Sequence, residues 1–309
     1  MEAGCRTDRR RVGPAPISGE WVAVADALPG AVRLGTSSWS FPGWAGSVYD
    51  REVTATHLAR NGLAAYAANP LLRAVGIDRT YYAPITAGAF AEYAAVVDDD
   101  FRFLVKAANL CTDPSNELFL DVGFAIEQVV GPYVEGLGAK GGALLFQFPP
   151  LGRENTVRPE AFADSLAGFL SALPPGPNYA VELRDRAVFG RPYLAALRDS
   201  GAVHCFNAHP RMPSVRRQRQ VVGDDPGRLF VARWMLHSGL GYEAAKERYA
   251  PFSQIVDEDL ETREAYAELC AEQIVAGRSV LVTANNKAEG SAPETLYRLA
   301  GRIVTKITA

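Results

Sequence analysis

Glu182 and Arg184 stand two residues apart in "YAVELR", a run of strand composition, so their side chains share one face with Ala180 while Val181 and Leu183 take the other. In that position Glu182 could act as a general base and Arg184 as an anion clamp, or the two could form an ion pair that fixes neighbouring strands. Lys106 ends "FRFLVKA". It could be an electrophile, a Schiff-base amine or a phosphate ligand, with a pKa that falls if it is desolvated beside Arg184 or Arg233, or it could simply neutralise Glu182 or Asp78. Arg233 and His237, near the end of "RLFVARW", supply a second cation and a candidate proton shuttle. His209, beside Pro210 in a loop, is a weaker candidate for the same work, and His57 and His204 look structural.

Other polar groups fall where short apolar runs end. "LGTSSWSFPGW" offers Thr36 and Ser37 as small donors after Gly35, with Trp39 as a ligand wall and Trp44 as a plug. Asp78 and Tyr81 follow the second run, Gln147 ends the fourth and Asn207 the sixth. "TANNKAEGSAPETL" places Asn285 and Asn286 ahead of a helix starting near Pro293, where backbone N–H groups and amides can hold a phosphate or cap a loop. "RMPSVRRQRQ" gathers Arg211, Arg216, Arg217 and Arg219. With Trp39, Tyr81 and Tyr82 as stacking surfaces these arginines would suit a nucleotide or nucleic acid; the plainer meaning is a solvated charge run.

Residues so far apart can converge only if the chain brings strand ends together. Eight β-rich runs occur in order, at 32–37, 74–80, 101–107, 142–148, 179–184, 202–207, 228–234 and 279–285. Segments with helical spacing separate them, the clearest from 116 to 137, with others near 54–69, 86–97, 158–172, 190–200, 255–276 and 292–305. The pattern predicts a single α/β TIM-like (β/α)8 barrel, with an irregular connection between strands six and seven. An open doubly wound sheet is the alternative. No G-x-G-x-x-G loop or P-loop supports it. In a barrel the active face lies at the C-terminal ends of the strands, where all the residues above would gather.

With 309 residues, 48% of them hydrophobic, and a net charge of -3, the chain can bury a large core and carries no global pull toward nucleic acid or membrane. The four cysteines are widely spaced, so neither a disulfide framework nor a zinc knuckle is expected, and a reducing, cytoplasmic setting fits. There is no H-E-x-x-H, no obvious metal triad, no G-x-S-x-G elbow and no cofactor fingerprint. No run approaches the ~18 apolar residues of a membrane span. Residues 1–31 read as an extension, partly disordered, with Trp21 and Val22 packing on a barrel domain of 32–309.

From about residue 33 to 300 the sequence resembles the YecE-like family, domain of unknown function 72. It does so through "LGTSSWSFPGW", "VGIDRTYYAP", "FLVKAANLCTD", "LLFQFPP", "AVELRD", "VARWMLHSGLGY" and "VTANNKAEGSAP" in that order. The resemblance implies a TIM-like barrel related to those of AP-endonucleases and sugar isomerases, and no established reaction. Three departures from the family pattern imply a divergent branch. Asp78 stands where a Glu is usual, Asp113 where a His follows the Lys-Ala…Thr segment, and an Arg-x-His-Gly motif is stretched into Arg233 to Gly239. The resulting expectation is a metal-independent enzyme, without a cofactor, acting on an anionic small molecule such as a phosphorylated or carboxylated sugar or nucleotide. Glu182 or His237 would move a proton, Lys106 or Arg233 would stabilise negative charge, and Arg184, Asn285 and Asn286 would orient the anion. A non-catalytic nucleotide- or nucleic-acid-binding protein is the competing expectation.

Overall fold

The computed structural model describes residues 12–156, 158–224 and 227–308, so the arginines at 6 and 9–11 lie outside the described residues. Eight parallel strands close into a barrel in sequence order. They are β1 (Val32–Thr36), β2 (Leu72–Ile77), β3 (Arg102–Lys106), β4 (Gly141–Phe148), β5 (Tyr179–Leu183), β6 (Val203–Ala208), β7 (Leu229–Trp234) and β8 (Ser279–Ala284).

Strand parity divides the core in two. Alternate residues such as Leu104, Leu145, Ala180, Cys205, Val231 and Leu281 fill the lumen, while Phe103, Phe146, Phe206 and Trp234 point outward and pack under the helices. On β1 and β2 the lumen positions include Gly35 and Gly76. A Cβ on Gly35 would sit 1.9 Å from the Ala74 carbonyl oxygen, so only glycine permits these two backbones to approach as they do. The register between β1 and β2 shifts at this point. Tyr66 locks the junction: its hydroxyl accepts from the Thr36 N–H at 2.9 Å and donates to the Ala74 carbonyl at 2.8 Å.

The helices follow the expected order with three corrections. The segment predicted as one helix over 116–137 begins at Val122, where the Asp121 carboxylate accepts from the Phe124 N–H, and it widens into a π-helical turn over Ala125–Val130 before Gly131–Leu137. Pro132 brings no N–H and would clash with the carbonyl four residues back, which the wider turn relieves. The connection between β6 and β7 is not irregular, because it carries a helix over Val215–Val222. Its arginines hid any apolar stripe; the helix is anchored by one buried amide instead. Gln218 donates to the carbonyls of Asn207 and Pro213, both at 2.7 Å, and accepts from the Asn207 N–H at 3.1 Å and from His204 Nε2 at 3.2 Å. Since an amide oxygen only accepts, His204 carries its proton on Nε2 and takes the Tyr193 hydroxyl proton on Nδ1. Burial holds its pKa down to about 4.

The third correction concerns the extension. Ser18 caps a helix over Gly19–Ala27, and Trp21 stacks on Tyr297 at 4.6 Å between ring centroids, whereas Val22 is exposed. No helix among the described residues is long and apolar enough to cross a membrane.

Gly35 and Gly168 make a matched test of the β1–β2 contact. Gly168 lies in the Pro159–Ala172 helix with open space around it. In urea denaturation, Gly35→Ala is expected to lose about 3 kcal/mol or more, and Gly168→Ala to gain up to about 1 kcal/mol from helix propensity.

Candidate functional site: a cationic cavity at the barrel mouth

At the C-terminal ends of the strands lies a cavity of about 380 Å³. Asp78 follows β2, Lys106 ends β3, Gln147 belongs to β4, Arg184 follows β5, His209 and Arg211 follow β6, Arg233 belongs to β7 and Asn285 follows β8, and all of them line it. Most are carried there by one rule: the lumen-facing parity of each strand ends in a polar residue at the mouth.

Arg233 organises the floor. It is fully buried, donates from Nη1 to Glu182 Oε2 at 2.6 Å, and reaches across the lumen with Nη2 to both oxygens of Asp78 at 3.0 and 3.1 Å. Arg184 pairs with the other Glu182 oxygen through Nη2. Glu182, with no exposed surface, is therefore held between two guanidinium groups. Burial alone would raise its pKa. The attraction of Arg184 and Arg233 outweighs that and lowers it to about 2. Burial likewise opposes the charge of Arg233, but Asp78 and Glu182 overcome it and push its pKa up. In Arg184 burial prevails, and the pKa falls.

These contacts correct the expected role of Glu182. A carboxylate this acidic, with both oxygens occupied, is a poor general base; its work is to place two arginines. His237 also changes role. Its Nδ1 accepts from the Gly239 N–H at 3.2 Å and its backbone N–H donates to the Lys287 carbonyl at 2.9 Å, so the ring caps a turn while Met235 and Leu236 take the places on the cavity wall. The histidine on the wall is His209. Its Nδ1 accepts from the Arg211 N–H at 3.2 Å, which leaves the proton on Nε2, and burial, reinforced by Arg184, lowers its pKa to about 4.

Lys106 differs from Arg184 and Arg233. Its Nζ sits 3.5 Å from the centroid of the Tyr81 ring, and among the described residues it has no carboxylate within ion-pair distance. Burial lowers its pKa to about 8, with Asp78 working in the opposite direction and Arg233 in the same one. Tyr81 thus backs Lys106, and its own pKa is raised, first by burial and then by Asp113.

The remaining candidates are framework. Trp39 is not a ligand wall: it is buried, its indole N–H donates to the Leu58 carbonyl at 3.0 Å, and its ring meets Tyr93 edge-on. Trp44 donates to Asn286 Oδ1 at 3.1 Å, and that oxygen also accepts from the Ala292 N–H, so Asn286 pins two loops together and does not face a ligand. Thr36 is buried and donates to the Ser38 carbonyl at 2.7 Å. Ser37 accepts from Asn285 Nδ2 at 2.8 Å and orients it. Asn207 is buried and donates to the Leu183 carbonyl. The arginine cluster separates: Arg211 joins the cavity, Arg216 and Arg219 pair with Glu268 and Glu272 on the Leu260–Val275 helix, and Arg217 bonds Gln220. No continuous basic groove results at the mouth.

Two exposed tyrosines, which composition alone does not bring together, stand on the rim. Tyr82, 80% exposed, and Tyr242, 58% exposed, both border the opening. Tyr242 belongs to a short helix, Tyr242–Tyr249, whose burial rests on a small local cluster of Leu236, Ala245 and Tyr249 and so left no long apolar stripe to read. A larger hollow of about 510 Å³ lies on the barrel flank beside Leu194, Leu197 and Val222, away from the strand C-termini.

Fold and site together define a (β/α)8 barrel protein with a polar, net-cationic cavity on the face where such barrels hold their ligands. Residues 33–308 match the family model described as protein of unknown function DUF72, and the chain belongs to that family. Two solved structures share the fold. A DUF72 family protein of Thermotoga maritima MSB8 is 19% identical, with 89% of this chain and 99% of that one covered and a TM-score of 0.59. A DUF72 family protein of Enterococcus faecalis V583 is 17% identical, with 88% and 95% covered and a TM-score of 0.58. No curated protein matches the sequence.

Glu182→Gln tests the floor. Removing the Glu182 charge leaves the buried Arg184 without its carboxylate and Arg233 with Asp78 alone, so a loss of roughly 3–5 kcal/mol is expected in denaturant titration at pH 7. Because the folded pKa of Glu182 lies below the unfolded one, its contribution is complete above about pH 4.5 and is lost as pH falls toward about 2. The variant should lack that part of the acid destabilisation.

Proposed function

We propose that the protein is an enzyme acting on a small anionic molecule held in the mouth cavity. The observation that carries this reading is the charge balance there: Arg184, Arg233, Arg211 and Lys106 converge on a cavity whose carboxylates, Asp78 and Glu182, are already engaged by Arg233 and Arg184. An anion entering the cavity would complete that balance. Arg184 and Arg211 are suited to orient a phosphate or carboxylate, Asn285 and Gln147 to bond hydroxyls, and the neutral His209 to donate a hydrogen bond from Nε2. Lys106 is the group suited to chemistry. With a pKa of about 8 it is roughly one-tenth neutral at pH 7, so it can take up or release a proton where the arginines cannot.

The nucleic-acid reading draws less support from the geometry. Arg216 and Arg219 spend their charge on helix glutamates, and Trp39 is covered.

Thermal shift against inorganic phosphate, sugar phosphates and sugar carboxylates tests the proposal. At a hundredfold excess over Kd a specific ligand should stabilise by about 2.7 kcal/mol, and Arg211→Gln should weaken that binding about tenfold or more. If no anion in the panel stabilises the wild-type protein, or if the shift is unchanged in Arg211→Gln and Lys106→Met, the reading fails.

A further inference from the structure

Among the described residues, Lys106 is the one lysine lining the mouth cavity, and its surroundings indicate which kind of bond it forms with a substrate. The two carboxylates are tied to guanidinium groups. His209 has its Nδ1 lone pair occupied by the Arg211 N–H and presents a donor. Ser37 is engaged by Asn285. Cys205 and Cys111 are buried, and burial raises both thiol pKa values. That leaves the Lys106 amine, which projects into the cavity against the Tyr81 ring without a carboxylate in ion-pair contact among the described residues. An amine kept free of a counter-ion and largely out of water is arranged to react as a neutral nucleophile, and the electrophile suited to a primary amine is a carbonyl carbon.

Building on the anionic-substrate reading, we infer that Lys106 forms an imine with the aldehyde or ketone of a substrate whose carboxylate or phosphate is held by Arg184 and Arg211. The neutral amine attacks the carbonyl carbon and a C–N bond forms. The carbonyl π pair passes to oxygen, which takes up a proton as the nitrogen gives one up, with cavity water as the relay. A second transfer of the same kind breaks the C–O bond and releases that oxygen as water, so both amine hydrogens leave in the water, and amine and carbonyl yield imine and one water with no oxidation or reduction. Protonation of the imine restores a cation at a position that already faces Asp78, and the iminium draws electrons from the adjacent carbon. Burial and the neighbouring Arg233 favour the neutral amine, which is consistent with its lowered pKa of about 8.

The chain has five lysines, Lys106, Lys140, Lys246, Lys287 and Lys306, which makes the test site-resolved. The full-length protein is incubated with cyanoborohydride and, separately, with pyruvate, glyoxylate, glyceraldehyde 3-phosphate or uncharged dihydroxyacetone, and each lysine is quantified by peptide mass spectrometry. Expected is an adduct on Lys106 about tenfold or more above any other lysine at pH 7, given the difference in neutral fraction. The wild-type yield should rise with pH through a midpoint of about 8. Preference for carboxylated or for phosphorylated probes identifies the anionic group. Arg211→Gln should lower the yield with charged probes by a larger factor than with dihydroxyacetone. Labelling of Lys106 no faster than that of the exposed Lys246, or a pH midpoint near that of an ordinary lysine, overturns the inference. If anions still stabilise the protein while Lys106 stays unlabelled, the imine is wrong and the anion site stands; if neither occurs, both readings fall.

Discussion

The ion cluster of Glu182 with Arg184 and Arg233 is the constraint on which the mouth of this barrel depends. Taking a carboxylate and two guanidinium groups out of water costs several kcal/mol per ion, and only direct pairing offsets it. The pairing is close: both oxygens of Glu182 face a guanidinium, and Arg233 uses its other terminal nitrogen, Nη2, on Asp78. A hydrophobic floor of similar volume would cost less to bury, so the cluster is hard to explain by stability alone. What it provides is position. Two cations are fixed at the bottom of an open cavity, and reorganising either would expose a buried charge.

Room for Arg233 comes from the opposite side of the barrel. From β7 the side chain crosses to Asp78 after β2; the two strands between, β8 and β1, carry Thr283 and Gly35 on the lumen side near that level, and β2 itself carries Gly76. Small residues there leave the centre to the guanidinium. The same glycines let β1 and β2 approach closely, with Tyr66 bonded to both. The loops above are fastened by polar side chains that a sequence reading takes readily for ligands. Asn286 joins the first and eighth loops through Trp44 and Ala292, and Ser37 holds Asn285.

That ambiguity sets the limit of what the sequence made legible. The eight strands and the barrel were readable because buried parallel strands leave apolar runs, and parity placed Lys106, Arg184 and Arg233 at the mouth. Parity could not tell an amide that faces a ligand from one that ties two loops, since Asn285 and Asn286 are neighbours of the same type. It could not foresee that both oxygens of Glu182 would be occupied, because Arg233 lies 51 residues away along the chain. The helix over Val215–Val222 escaped for a related reason: Gln218, a polar residue, fills the place that an apolar stripe would normally mark. His237 caps a turn just after β7, and nothing local in the sequence showed that His209 would be the histidine on the wall.

The division between arginine and lysine in the cavity follows from the same electrostatics. An arginine keeps its charge even when buried beside another cation, which suits groups whose task is to hold a carboxylate or an anion permanently. Arg184 and Arg233 are of this kind. A lysine in the same field loses its proton far more readily, so a lysine placed where nothing pairs with it becomes a group whose charge can change during a reaction. Lys106 is one of only five lysines among the 32 lysines and arginines, and its amine lies against the Tyr81 ring. An arginine at that position would add a further permanent charge to the cavity and could not act as a nucleophile. Burial, with the fields of Arg233 and Arg184, lowers the pKa of Lys106 to about 8, and Asp78 and Glu182 limit how far it is pushed down.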